Sequence, residues 1–135
     1  MELVVDTNIL ISFFRDNPVK FIILNSAQLK LELCFPEHCW KELINIKSAL
    51  LKYSKLSPDK LDLAIENLKG FVKIIPDELS KEFESQAKEL IHDKDVPIFA
   101  LALKLNCPIW SNEPAFKEQS EIKVFSTRDM IELFL

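Results

Sequence analysis

The chain has 135 residues, a formal net charge of −4, 48% hydrophobic residues and 28% charged residues. Those values suit one folded domain with a core of its own, and they exclude a disordered polymer and a broadly basic nucleic-acid surface. A single glycine, Gly70, excludes the glycine-rich phosphate loops of dinucleotide and Walker A sites.

Residues 3–5 read as a buried strand that stops on Asp6. Thr7 or Asn8 is placed to cap a helix beginning at Ile9. Asp16-Asn17-Pro18 breaks that helix, and Pro18 opens a second, with Phe21, Ile22, Leu24, Asn25 and Leu29 near helical spacing. Residues 31–35 form a short strand closed by Pro36. From Glu37 a helical pattern carries Trp40, Leu43, Ile44, Leu50 and Leu51 to about Tyr53. Ser57-Pro58-Asp59 starts another helix, with Leu61, Ile65 and Leu68 on one face and Gly70 as its closing C′ residue. Residues 71–75 are β-rich. Residues 80–91 are helical with Phe83, Ala87, Leu90 and Ile91 inward, and residues 96–105 form a mostly apolar helix. Strands follow at 107–110 and 123–125, and Thr127 caps a terminal helix.

Strands alternating with helices predict parallel βαβ units. The expected fold is α/β: a three-layer α/β/α sandwich with a central parallel sheet of four to five strands. No linker, repeat or low-complexity stretch interrupts residues 1–135, which are expected to form a single domain.

Several carboxylates fall near strand ends or helix starts. Asp6 ends the first strand. Glu42 lies in the helix after the second. Asp93 and Asp95 precede the apolar helix, and Glu113 follows the strand at 107–110. In a parallel sheet, strand C-termini and the helix starts after them share one edge, so acids far apart in sequence converge there. Such oxygen donors suit Mg²⁺ or Mn²⁺, which lower the pKa of bound water and stabilise in-line displacement at phosphorus. Plainer roles compete: Asp6 and Asp95 also read as helix caps, Glu42 as a solvated helix position and Ser111 as the cap of its own turn. His92 reads as a surface residue more readily than as a base. No nucleophile elbow supports a serine triad.

Cys34, Cys39 and Cys107 form no C-x-x-C pair, so a zinc site is not expected. All three read as reduced, with Cys34 and Cys107 in the core. No leader is recognisable and no apolar run approaches the ~18 residues of a membrane span. A cytoplasmic protein is expected.

Four segments in order, VVDTNIL at 4–10, PEHCWKEL at 36–43, DVPIFALAL at 95–103 and PIWSNEPAF at 108–116, resemble the signature segments of the PIN domain family. The likeness covers nearly the whole chain and points to small stand-alone prokaryotic, often archaeal, members of the VapC kind. It implies a Mg²⁺- or Mn²⁺-dependent ribonuclease that cuts single-stranded RNA and leaves a 5′-phosphate and a 3′-hydroxyl. The family's first three acids fall on Asp6, Glu42 and Asp95, which would hold the metal. Glu113 stands where the final segment usually has its first aspartate, and Ala115 where it has its second. Thr7, Asn8, Ser111 and Asn112 would orient ligands or contact phosphate, and Lys41 and Lys94 would attract the backbone. The resemblance further implies a homodimer, with the apolar run 21–24 as surplus surface, and for toxin members an antitoxin partner. The departure at Glu113 and Ala115 leaves a second reading, a module that binds RNA or a protein without cutting.

Overall fold

The structure is a computed structural model that describes residues 1–135. Five strands, β1 (Glu2–Val5), β2 (Glu32–Pro36), β3 (Val72–Ile75), β4 (Ile109–Trp110) and β5 (Val124–Phe125), form one parallel sheet in the order β3-β2-β1-β4-β5. β1 lies at the centre, where Val4 pairs with Cys34 on one side and Ile109 on the other. Leu3, Val4 and Val5 are fully buried, as expected of a strand covered on both faces.

Eight helices flank the sheet: α1 (Thr7–Ser12), α2 (Pro18–Leu24), α3 (Glu37–Asn45), α4 (Lys47–Ser54), α5 (Pro58–Phe71), α6 (Glu84–Lys88), α7 (Val96–Leu105) and α8 (Thr127–Phe134). Short 3-10 turns span Asp77–Phe83, Asp93–Asp95 and Pro114–Glu118. The chain steps outward from β1 to β2 to β3, then crosses back to β4 and β5 on the other side of β1. Right-handed crossovers put the helices of those two halves on opposite faces. The strand order therefore reverses between β1 and β4, and the crevice outside their C-terminal ends is where such sheets bind ligands.

α7 packs on β1 and β2 while α6 and the turn Asp77–Phe83 cover its outer side. A helix enclosed this way must be apolar around most of its girth, and Val96, Ile98, Phe99, Ala100, Leu101 and Ala102 are all buried. On α5, Leu61, Ile65 and Leu68 are the buried face, and the Ser57 side chain accepts from Lys60 N–H at the start.

Several local expectations are corrected. The helix expected over 37–53 is two. Ile46 leaves helical geometry so that α3 can lie on β2 and β3 while α4 packs on α5. The helix expected over 80–91 is the 3-10 turn Asp77–Phe83 followed by short α6. Ala87 is fully buried there, and Phe83, Leu90 and Ile91 are only half-buried. α2 ends at Leu24, before Leu29; Ile22 and Ile23 are buried, while Phe21 and Leu24 face out. Neither Thr7 nor Asn8 caps α1, because Asp6 occupies the cap position with its side chain turned elsewhere. Ser126 rather than Thr127 caps α8, in a reciprocal capping box with Asp129. Cys39 is buried and Cys107 is only half-buried, the reverse of the expectation for Cys107; all three thiols are free.

Gly70 is not a C′ residue. α5 continues to Phe71 and runs straight into β3, so no left-handed residue is needed, and no glycine has positive φ. A Cβ placed there would meet nothing within 4 Å. Gly70→Ala is expected to stabilise the fold by about 0.5–1 kcal/mol through lost unfolded-state entropy. Urea denaturation checks this, and an unchanged or lower midpoint would count against it.

Candidate active site

Asp6 is the first residue past β1. Its amide donates to Trp110 O at 2.9 Å, which locks it beside the end of β4. Its side chain is buried, with the residue 5% exposed. Ser111, one residue past β4 and 1% exposed, donates its hydroxyl to Asp6 Oδ2 at 2.8 Å. The same hydroxyl oxygen accepts the Glu113 N–H at 3.0 Å. One serine thus couples the ends of two neighbouring strands to the loop that carries Glu113.

Burial raises the Asp6 pKa, and the charges of Asp95 and Glu113 raise it further. The Ser111 hydroxyl and the Thr7 amide oppose that rise, and no cation is among the groups acting on Asp6. Asp95, in the cap position of α7, is half-buried and is also raised. Burial is the main cause, the Glu113 charge adds to it, and Lys94 and His92 pull the other way. The charges of Asp95 and Glu113 are thus felt at Asp6, where β1 and β4 end.

Glu42 comes from α3. Its side chain is 61% exposed on α3 and lies 3.5 Å from His38 Nε2, one turn earlier. It is not among the groups acting on Asp6 or Asp95. The link between the two regions is the Cys39 thiol. Burial pushes it up to about 12, the Glu42, Asp77 and Asp6 charges add to the rise, and the Thr7 hydroxyl opposes it.

Asn112 is also drawn away. Its Oδ1 accepts the Thr127 N–H at 2.7 Å, so its acceptor ties the β4 loop to the start of α8. Thr127 in turn accepts the indole N–H of buried Trp110 at 3.1 Å. Asn8 is exposed on α1, and its carbonyl accepts the Ser12 hydroxyl. Ala115 lies in the turn Pro114–Glu118.

No group of three or more His, Cys, Asp or Glu side chains is placed to hold a metal ion. Mg²⁺ needs none, since it is usually held by one or two carboxylates with water and substrate phosphate completing the octahedron. The donor chemistry fits such an ion: hard oxygens, mutual repulsion, and a buried carboxylate with no cation acting on it. Ser111→Ala would remove the Asp6 partner and leave the Glu113 amide without its acceptor. About a tenfold loss of affinity for a divalent cation is expected, typical of losing a group that orients a ligand. An Mn²⁺ affinity within about twofold of wild type would show that Ser111 does not orient Asp6.

Sequence reasoning missed Asp77. Pro36, in the cap position of α3, has no capping side chain, and Asp77 Oδ1 accepts the His38 N–H at 3.0 Å instead. A cap supplied from 39 residues away leaves no local signal.

The PIN domain family model matches residues 4–131, and the chain belongs to that family, a family of nucleases. Its fold is similar to that of a chain in VapBC2 from Rickettsia felis bound to a promoter DNA fragment. The TM-score is 0.64 at 16% identity, over 93% of this chain and 98% of that one. No curated protein matches the chain.

Proposed function

We propose that the protein is a Mg²⁺- or Mn²⁺-dependent endoribonuclease acting on single-stranded RNA. The observation that carries this reading is Asp6, a buried carboxylate at the strand-order reversal with two further acids acting on it and no cation. Keeping such a charge out of water costs stability, and a bound divalent ion removes the cost. Asp6 and Asp95 would hold the ion, with Glu113 beside them and Glu42 reaching in from α3. When bound, the ion activates water and neutralises charge developing on the scissile phosphate. Ser111 keeps Asp6 in its rotamer. Lys94, whose charge acts on Asp95, offsets the repulsion that the acids exert on an incoming backbone.

The test is cleavage of a random single-stranded RNA pool in Mn²⁺, in Mg²⁺ and in excess EDTA. Metal-dependent cleavage, reduced in Glu42→Gln, is expected; cleavage unaffected by EDTA would end the metal assignment. A second reading, a module that binds RNA without cutting, draws on Ala115 and on the exposed, His38-paired Glu42. Tight RNA binding with no turnover in either metal would select it.

The VapBC neighbour supports an antitoxin as partner. Exposed Phe21 and Leu24 on α2 support a homodimer, which light scattering reads directly. No helix is long and apolar enough to cross a membrane, and three free thiols suit action in the cytoplasm as one domain.

A further inference from the structure

A hollow of about 410 Å³ opens outside the acidic crevice, lined in part by Phe13, Phe14, Arg15, Asp16, Lys20 and Lys55. Its place in the fold follows from the connections. α1 starts directly after Asp6 and leads, nine residues on, to Arg15, while Lys55 closes α4 just before α5. The hollow therefore lies where the end of α1 meets the α4–α5 junction.

Its cations are unevenly committed. Lys20 pairs with Asp16 at 3.3 Å. Arg15 and Lys55 take part in no salt bridge. The Arg15 guanidinium lies 4.2 Å over the Tyr53 ring, and its Nε donates to Tyr53 O at 2.6 Å. Only Nε is used, so the two terminal NH₂ groups are held in place and free to donate. A pre-set fork of this kind suits phosphate oxygens. The edge-to-face pair of Phe13 and Phe14 is buried beneath the hollow and forms its floor.

Charge along the chain points the same way. Residues 41–60 hold Lys41, Lys47, Lys52, Lys55 and Lys60 against Glu42 and Asp59, whereas acids outnumber lysines between 77 and 95. A polyanion approaching a chain of net charge −4 needs local cations, and residues 41–60 supply them, although Lys47 is paired with Asp62.

We propose that the Arg15–Lys55 hollow binds the phosphate backbone of single-stranded RNA. The proposal deepens the ribonuclease reading and rests on it for the identity of the polymer.

The experiment is fluorescence anisotropy of a fluorescein-labelled oligouridylate in EDTA, which separates binding from turnover. Arg15→Gln and Lys55→Gly are each expected to bind about fivefold more weakly. The plot of log K against log salt should flatten by about 0.7 for each lost contact. Lys55 caps α4 at φ 60°, a conformation glycine adopts freely. Lys55→Gly should therefore melt no lower than wild type, so its weaker binding cannot be blamed on misfolding.

In the Mn²⁺ cleavage assay the loss should fall on KM. RNA affinity unchanged in both variants would overturn the proposal. So would weakened binding of polyglutamate with RNA affinity intact, which would give the hollow to an acidic peptide. The two readings fail separately. RNA binding that depends on Arg15 and Lys55 without cleavage removes the nuclease and keeps the hollow. Cleavage indifferent to both variants does the reverse.

Discussion

Asp6→Asn is expected to lower RNA cleavage by about 10²–10³-fold while making the metal-free protein more stable. The activity loss follows from removing the charge that would hold the cation, and its size is typical of deleting one preorganised electrostatic group. The stability gain follows from the sign of the Asp6 shift. Burial, then the Asp95 and Glu113 charges, hold the folded pKa above its unfolded value. A raised carboxylate pKa contributes stability below the unfolded pKa, and that contribution is lost as pH rises through the folded one. Near neutrality the wild type carries the cost of a charged, crowded, buried carboxylate. Asparagine removes the charge, keeps the shape and can still accept the Ser111 hydroxyl.

A gain of about 0.5–2 kcal/mol is expected, the usual size of a relieved conflict between stability and function. That corresponds to a rise in Tm of roughly 2–8 °C. The gain should shrink as pH falls through the raised Asp6 pKa, where the wild-type carboxyl is itself protonated. Adding Mn²⁺ should raise the Tm of the wild type and leave the variant unmoved. Calorimetry at neutral and acidic pH, with and without metal, reads all of this. A variant less stable than wild type at neutral pH would show that Asp6 is a structural residue rather than a strained functional one.

Phe99→Ala is expected to cost about 3–5 kcal/mol, out of a total stability of about 5–15 kcal/mol for a domain. Phe99 is fully buried on α7, enclosed by the sheet on one side and α6 on the other. Its ring meets Phe116 edge-on, with centroids 5.0 Å apart and planes at 71°. Truncation opens a cavity that walls held by secondary structure on both sides cannot collapse to fill.

The effect should reach the site as well. α7 begins directly after Asp95, and Phe116 lies in the turn directly after Glu113. The ring pair therefore ties together the two segments that bring these acids near Asp6. At temperatures where Phe99→Ala is still folded, cleavage should fall further than the folded fraction does. Urea denaturation followed by circular dichroism gives the stability term. A loss below about 1 kcal/mol would mean that the site repacks freely.

Much of this architecture was legible in the chain. The apolar run Leu3–Val5 read as a buried strand, and residues 31–35 as a short strand ended by Pro36. The 96–105 segment is too apolar for a surface helix, and an aspartate closing the first strand had few bland explanations. Helix boundaries were less legible, because they depend on partners. Ile46 breaks a helix to serve two packing surfaces, and Gly70 stays helical because the chain needs no turn before β3. Caps failed for the same reason: Asp6 is drawn to Ser111, and the start of α3 is capped by Asp77.

The sequence by itself determined the alternation of strands and helices, the apolar α7, and Asp6 at a strand end, since each depends on residues close together in the chain. Only the tertiary structure decided that β4 lies beside β1, which brings Ser111 to Asp6 across 105 positions. It also chose the hydrogen-bond and charge partners of the site residues. Asp95 and Glu113 act on Asp6, whereas Glu42 turns to His38 and Asn112 ties down α8. Strand order and side-chain partners are chosen by long-range packing and hydrogen bonding, and no local pattern of residues encodes which distant group will satisfy a given donor or acceptor.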